Sequence, residues 1–201
     1  MKLIIMGPIG SGKGTQAKIL AEKFGLTHLS TGDIMRKHIK DETEVGKKIK
    51  SVIDSGGYVD DTLTTPLVEQ SLTDKFILDG YPRTQAQVSI LESLTSVDRV
   101  IFLEVDEEEV INRISSRRVC LECGKMYSVH DGIDTCTCGN ELVQREDDKK
   151  ETIEKRLEIF KKETLPIAKI YEDKNLLVRV SGEGEISEIT KRLIEVLNDL
   201  S

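Results

Sequence analysis

Leu3-Ile4-Ile5-Met6-Gly7-Pro8-Ile9-Gly10-Ser11-Gly12-Lys13-Gly14-Thr15-Gln16 decides how this chain is read. An apolar run of strand length enters a glycine-rich turn. A helical pattern follows, with Ala17, Leu20, Ala21 and Phe24 spaced to lie on one face. A strand, a loop rich in glycine and a lysine at the start of a helix together form the context of a phosphate-binding loop. The glycines let successive backbone N–H groups point inward as an anion nest. The helix N-terminus adds positive potential, and Lys13 can reach the outer phosphates. A glycine-rich turn that binds nothing would need strand, spacing and lysine to coincide by accident.

Working outward, strand-like runs at 76–78, 100–105 and 176–180 are each followed by helical periodicity. That alternation predicts an α/β fold: a parallel sheet of the P-loop NTPase type with helices on both faces. The last helix is expected to bury Ile186, Ile189, Leu193, Val196 and Leu200. Asp106 can cap the helix after the 100–105 run, with Glu107, Glu108 and Glu109 well placed against its dipole. Two segments break the rhythm. Residues 30–59 are helical in pattern (Ile34, Met35, His38, Ile39, then Val45, Ile49, Val52, Ile53) and end at Gly56-Gly57. Residues 117–148 are irregular and hold every cysteine. The predicted organisation is a core of 1–29, 60–116 and 149–201 carrying a helical insert at 30–59 and a second insert at 117–148. No internal repeat or low-complexity tract is evident.

A length of 201 residues suits one core with appendages. The formal charge of −7 argues against a general nucleic-acid surface, whose affinity comes from phosphate-neutralising lysines and arginines. No apolar run is long enough to cross a bilayer, and Met1-Lys2 leads straight into a strand pattern. A cytoplasmic protein with no membrane partner is expected. Cys120, Cys123, Cys136 and Cys138 lie within nineteen consecutive residues, which favours a metal site over a disulfide scaffold. Cys120-x-x-Cys123-Gly124 and Cys136-x-Cys138-Gly139 suit tetrahedral Zn²⁺. His130, Asp131 or Asp134 could replace a sulfur, and iron in place of zinc, a disulfide or free thiols are the alternatives. With no open ligand position the metal would be structural, ordering a segment too small to order itself.

Asp79 ends the 76–78 run, where it can hold Mg²⁺ through water while Thr15 approaches the same ion; an ordinary turn carboxylate is the plainer reading. His28, His38 and His130 form no nucleophile–base pair at a recognised spacing, and His38 fits a helix face.

Gly-Lys-Gly-Thr-Gln at 12–16, Ser-Thr-Gly-Asp at 30–33, Asp-Gly-Tyr-Pro-Arg-Thr at 79–84, Arg117-Arg118, and Gln144-Arg145 with Asp147-Asp148 occur in that order. This ordered set, which runs from the first strand toward the last helix, resembles the adenylate kinase family of nucleoside monophosphate kinases, in the long form with a zinc-binding lid. The resemblance implies transfer of a phosphoryl group from ATP to AMP, giving ADP, with Mg²⁺ accompanying ATP and Zn²⁺ in the lid. It implies an AMP site of Thr31, Arg36, the backbone of Gly57, Tyr58 and Val59, then Gly80, Tyr81, Pro82, Arg83 and Gln87, with Arg145 and Arg156. Gln87 is the expected adenine reader, since an amide can pair with a ring nitrogen and an exocyclic amine. Thr31 stands where pyrimidine monophosphate kinases usually have alanine. For ATP the resemblance implies Gly10, Ser11, Gly12, Lys13, Gly14 and Thr15, with Arg113 on the adenine, Arg117 on phosphate, Met126 and Tyr127 in the lid, and backbone near Gly184. Lys13, Arg83, Arg117, Arg145 and Arg156 are the implied catalytic cations. Six of the ten arginines fall on family positions. Pro8 stands one place earlier than the family's usual loop proline, so the first turn of the nest is expected to differ slightly.

Phosphoryl transfer needs positioning and charge neutralisation more than covalent help, so no phosphoenzyme is expected. The competing functions are another monophosphate kinase or a GTP-preferring one, a P-loop signalling switch, and a zinc-ribbon module. The switch would need a guanine-reading Asn/Thr-Lys-x-Asp segment, which the sequence lacks. The zinc-ribbon reading is opposed by the acidic charge and the absence of aromatic clusters. A monomer is expected.

Overall fold

Leu3, Ile4, Ile5 and Met6 are at most 3% exposed, as a central strand requires when helices cover both faces of a parallel sheet. The computed structural model describes residues 1–198; Leu200, expected on the last helix, lies outside them. Strands β1 (Lys2–Met6), β2 (Thr27–Ser30), β3 (Phe76–Asp79), β4 (Arg99–Glu104) and, near the C-terminus, Leu177–Ser181 form one parallel sheet. With the last of these numbered β8, the order is β2-β3-β1-β4-β8. Alternation along β1 divides the core. Ile4 and Met6 pack with Phe76, Leu78, Phe102 and Tyr171 on one face. Leu3 and Ile5 pack with Leu20, Ile77, Ile101 and Leu193 on the other.

The chain leaves β1 for the edge strand β2, returns to β3 beside β1, and then crosses to β4 and β8 on the other side, so the loop after β1 sits where strand order reverses. Ligands of open α/β sheets bind at such a point, beyond the carboxyl ends of the strands. Ile5 pairs with both Asp79 and Ile101, which brings the end of β3 beside that loop.

The helices are α1 (Lys13–Phe24), α2 (Thr31–Lys40), α3 (Glu44–Asp54), α4 (Asp61–Ser71), α5 (Gln85–Leu94), α6 (Glu107–Ser116), α7 (Lys150–Ile159), α8 (Leu165–Asp173) and α9 (Ile186–Asn198). A π-helical turn, Phe160–Thr164, joins α7 to α8. Helices α2 and α3 start at Ser30 and Thr43, whose hydroxyls accept from Asp33 N and Gly46 N. They share a small cluster of Met35, Ile49 and Val59. Strands β5 (Arg117–Cys120), β6 (Met126–Ser128) and β7 (Leu142–Val143) form a second, antiparallel sheet in the order β6-β5-β7.

Several expectations need correction. β2 was not expected: it is four residues long at the sheet edge, with Thr27 exposed, too short for a clear alternation. Residues 117–148 looked irregular because their strands have only two to four residues. Ile186 is 56% exposed, because it opens α9 at the rim of the sheet. Leu197, at 0%, takes the inward position in place of the half-buried Val196. Asp106 occupies the N-cap of α6 without a side-chain cap bond.

Candidate active site

The loop after β1 holds Gly10 at φ +73° and Gly12 at φ +86°, a left-handed backbone that favours glycine. A Cβ on Gly10 would also lie 2.7 Å from Ile114 Cγ1. No side chain caps α1 at Gly12, so its first N–H groups are free of a cap and face the cleft as an anion nest. The shifted Pro8 supplies a carbonyl to the loop: Ser11 N donates to it at 3.2 Å and Lys13 Nζ at 3.0 Å. Ser11 itself is fully buried, its Oγ without a partner, and lies beneath the loop instead of lining the cleft.

Two clefts meet over this loop. One is lined by Gly10, Gly12, Lys13, Gly14, Thr15, Asp79, Arg113, Arg117, Met126, Tyr127, Arg145, Arg156 and Gly184. The other is lined by Thr31, Arg36, Gly57, Tyr58, Val59, Gly80, Tyr81, Pro82, Arg83, Gln87 and Arg156. Lys13, Gly32, Arg36, Arg83 and Arg156 border both. The sequence-predicted residues thus converge, apart from Ser11 and the cysteines, and Arg145 lines the first cleft only.

Carboxylates and carbonyls seat the cations at this junction. Arg117 Nε donates to Asp148 Oδ2 at 2.8 Å, and Nη2 bonds the other oxygen of the same buried carboxylate. Arg156 Nη1 lies 2.8 Å from Asp147 Oδ2, Arg36 Nη2 lies 2.6 Å from Asp33 Oδ1, and Arg83 Nε donates to Gly80 O at 2.6 Å. Arg83 also lies over the Tyr58 ring, with Cζ 5.1 Å from the centroid. The Tyr58 hydroxyl is 2.7 Å from Thr164 Oγ1, which donates to Arg83 O. Arg145 Nε is buried without a partner. Burial, then the like charges of Arg36 and Arg117, lower Arg145 to about 10. Lys13 is lowered to about 8 by burial, with Asp79 opposing and Arg83, Arg156 and Arg117 adding to the fall. Lys13 and Arg145, lowered in this way, are cations whose charge a bound anion would restore.

Asp79 is 8% exposed. Its Oδ2 would lie 3.1 Å from a Cβ on Gly14, and it shares the first cleft with Thr15. A carboxylate and a hydroxyl there are the donor types a hard divalent cation takes. Among the described residues no histidine lines either cleft: His38 Nδ1 bonds Thr43 Oγ1 in the α2–α3 turn, His28 Nε2 lies 3.7 Å from Asp79, and His130 is exposed.

Arg113 reaches the cleft along α6, held by Glu109 at 2.6 Å and Gly182 O at 2.8 Å. The Sγ atoms of Cys120, Cys123, Cys136 and Cys138 lie within 4.8 Å of one another. The separations of 3.4 Å for Cys120–Cys138 and 3.5 Å for Cys123–Cys136 exceed any disulfide bond. They match four sulfurs about 2.3 Å from one tetrahedral ion. The tight Cys136-x-Cys138 turn therefore brings both its sulfurs to the cluster. His130, Asp131 and Asp134 stand outside the four-sulfur group; Asp131 instead accepts from Ser128 N in a capping box. Tyr127, which lines the first cleft, places its hydroxyl 3.3 Å from Cys136 Sγ.

Sequence reasoning missed Met35, Ile53 and Thr64, which line the second cleft. The first two were legible only as helix periodicity. It also missed Thr164 behind Tyr58 and Asp61 behind Gln87, pairings between residues far apart in sequence.

A family model described as adenylate kinase matches residues 5–176. The chain belongs to the adenylate kinase family. It is 42% identical to the adenylate kinase of Caldicellulosiruptor saccharolyticus, covering 98% of this chain and 99% of that one. It is 44% identical to that of Salinibacter ruber, over 100% and 99%, and 39% identical to that of Petrotoga mobilis, again over 100% and 99%. As a family member it is a phosphotransferase. Among the described residues no helix is long and apolar enough to cross a membrane.

Proposed function

We propose that this chain transfers the terminal phosphoryl group of ATP to AMP, reversibly and in line, giving two ADP. The observation that carries the reading is the meeting of two clefts at Lys13, Arg36, Arg83 and Arg156. Two nucleotides entering from opposite sides would bring their phosphates together among those cations.

ATP enters the cleft of Gly10, Gly12, Lys13, Gly14, Thr15, Arg113, Arg117, Met126, Tyr127 and Gly184, with Ser11 supporting the loop from below. AMP enters the cleft of Thr31, Arg36, Gly57, Tyr58, Val59, Gly80, Tyr81, Pro82, Arg83 and Gln87, with Arg156 at the junction and Arg145, from the first cleft, on its phosphate. Lys13, Arg83, Arg117, Arg145 and Arg156 neutralise charge that develops on the transferring group; planar guanidinium forks suit phosphate oxygens. Asp79 and Thr15 would hold Mg²⁺ through water. When bound, that ion supplies charge neutralisation and orientation to the phosphates. Exclusion of water from the junction keeps the reaction from becoming ATP hydrolysis.

Residues 30–59 act as the AMP-binding insert and 117–148 as the lid, on a core of 1–29, 60–116 and 149–201. Cys120, Cys123, Cys136 and Cys138 would hold a structural Zn²⁺, which supplies folding energy to the lid and no chemistry. The protein works as a cytoplasmic monomer without nucleic-acid or membrane partners, in nucleotide biosynthesis and AMP salvage.

The test is a coupled assay of ADP formation from ATP with each nucleoside monophosphate. AMP is expected to exceed UMP, CMP and GMP by about a hundredfold or more in kcat/KM. Comparable turnover of UMP would overturn the acceptor assignment.

A further inference from the structure

Gln87 is 2% exposed, and its side-chain amide is held at both ends. Its Oε1 accepts from the backbone N–H of Arg83 at 2.7 Å, and its Nε2 donates to Asp61 Oδ1 at 2.5 Å. Thr84 closes the ring of contacts: its hydroxyl donates to Asp61 Oδ2 at 3.3 Å and accepts from Gln87 N at 3.2 Å. Asp61 lies in the first turn of α4 and Gln87 in α5, so the contact joins two helices.

We propose that Asp61 fixes which way the Gln87 amide faces and thereby sets the choice between 6-amino and 6-oxo purines in the AMP cleft. The inference rests on the reading that Gln87 faces the acceptor base.

The chemistry of the two neighbours forces the orientation. A carboxylate only accepts and a backbone N–H only donates. Turning the amide over would set Oε1 against the Asp61 carboxylate and the NH₂ group against Arg83 N–H, two repulsions in place of two bonds. In the fixed orientation one N–H and one oxygen lone pair remain for a ligand. They match adenine, which presents an acceptor at N1 beside a donor at its 6-amino group. Hypoxanthine and guanine present the reverse, a donor at N1 and an acceptor at O6. A free amide could rotate by half a turn and serve either pattern. A held one rejects the 6-oxo base by leaving two polar pairs opposed, the kind of mismatch that supports strong discrimination. Asp61 is thus a positioning residue that acts through Gln87.

The plainer role for Asp61 is to favour the start of α4 through its negative charge. That role would lower stability, or turnover of all acceptors alike, and would leave their ratio untouched.

The experiment measures kcat and KM for AMP and for inosine monophosphate, which differs in its 6-oxo group and the hydrogen on N1 that comes with it, and which serves as the probe. It uses wild type, Asp61→Ala, Asp61→Ser, Asp61→Asn and Gln87→Ala, each checked for a native melt. Serine can still favour a helix start but is too short to reach Gln87, so it stands in if alanine fails to fold. In Asp61→Ala and Asp61→Ser the AMP preference should fall about tenfold or more, mostly through a lower KM for inosine monophosphate. Asp61→Asn, whose amide oxygen can still accept from Nε2, should stay within about threefold of wild type. An unchanged ratio in both Asp61→Ala and Asp61→Ser, or an equal loss for both acceptors, would overturn the proposal. If Gln87→Ala abolishes the preference while the Asp61 variants keep it, only the role of Asp61 falls. If Gln87→Ala also keeps it, the adenine-reading role of Gln87 falls as well.

Discussion

Strand β1 and strand β5 are each central in their sheets, yet different interactions hold them in place. β1 sends alternate side chains into two large apolar clusters, one on each face of the parallel sheet. Each fully buried Leu or Ile there contributes about 2 kcal/mol. β5 has little of that kind: its Cys120 shares a small buried cluster with Cys136 and Leu142, with Tyr127 packed alongside. The exposed Lys40–Glu122 pair, 3.0 Å long, ties the tip of this region to α2. A pair of that kind is worth about 0.5 kcal/mol. Apolar burial therefore orders the sheet, whereas the region over it has the Arg117–Asp148 contact and four converging sulfurs, which would order it by holding the proposed metal. The first supplies a rigid platform for Lys13 and Asp79. The second supplies Arg117, Met126 and Tyr127 on a frame that is expected to loosen without unfolding the platform.

The largest test of this division removes charge from the platform. Lys13→Met or Arg83→Ala should slow phosphoryl transfer by roughly 10² or more, because each deletes a cation at the junction of the clefts. Circular dichroism and melting should stay native, since neither side chain belongs to the apolar clusters. Near-normal rates in a natively folded variant would remove these residues from the mechanism.

A smaller effect is expected from the other region. Stripping the metal with a chelator should expose amides between 117 and 143 to hydrogen exchange while β1, β3 and β4 stay protected. Because Tyr127 joins Cys136 to the cleft proposed for ATP, kcat/KM for ATP should fall by about tenfold, with measurable turnover left. Cys138→Ser should behave like the stripped protein and His130→Ala like wild type. Loss of the whole fold on chelation would erase the contrast between β1 and β5. So would elemental analysis that finds no zinc in a native protein.

The same contrast decides how much was legible in the sequence. The parallel sheet announced itself because long apolar runs repeat one pattern, and the phosphate loop because its glycines and Lys13 are contiguous. The edge strand Thr27–Ser30 and the small sheet of 117–143 escaped, since two to four residues carry no usable period. Most candidate site residues came from contiguous motifs whose family resemblance names a role. The supports behind them did not: Asp61 lies 26 residues from Gln87 and Thr164 lies 106 from Tyr58. Such pairs are made by packing, and neither partner is unusual where it stands in the chain.

The smallest expected effect links the two regions through Lys13. Burial is the leading cause of its fall to about 8, and the neighbouring cations Arg83, Arg156 and Arg117 add to it. Together they outweigh Asp79, which favours the ammonium, so the free enzyme loses the positive charge of Lys13 as pH rises through that value. Since kcat/KM reports ionisations of the free enzyme, it should drop to about half its plateau near pH 8. Bound phosphates favour the ammonium, so the corresponding limb in kcat should lie higher. Nucleotide binding at that pH should also take up a proton, detectable by calorimetry in buffers of different ionisation enthalpy. Arg117 belongs to β5, and loosening that strand both wets Lys13 and moves a like charge away. Chelation should therefore move the kcat/KM limb to higher pH. A limb that stays fixed on chelation would mean that the platform alone sets the charge of Lys13.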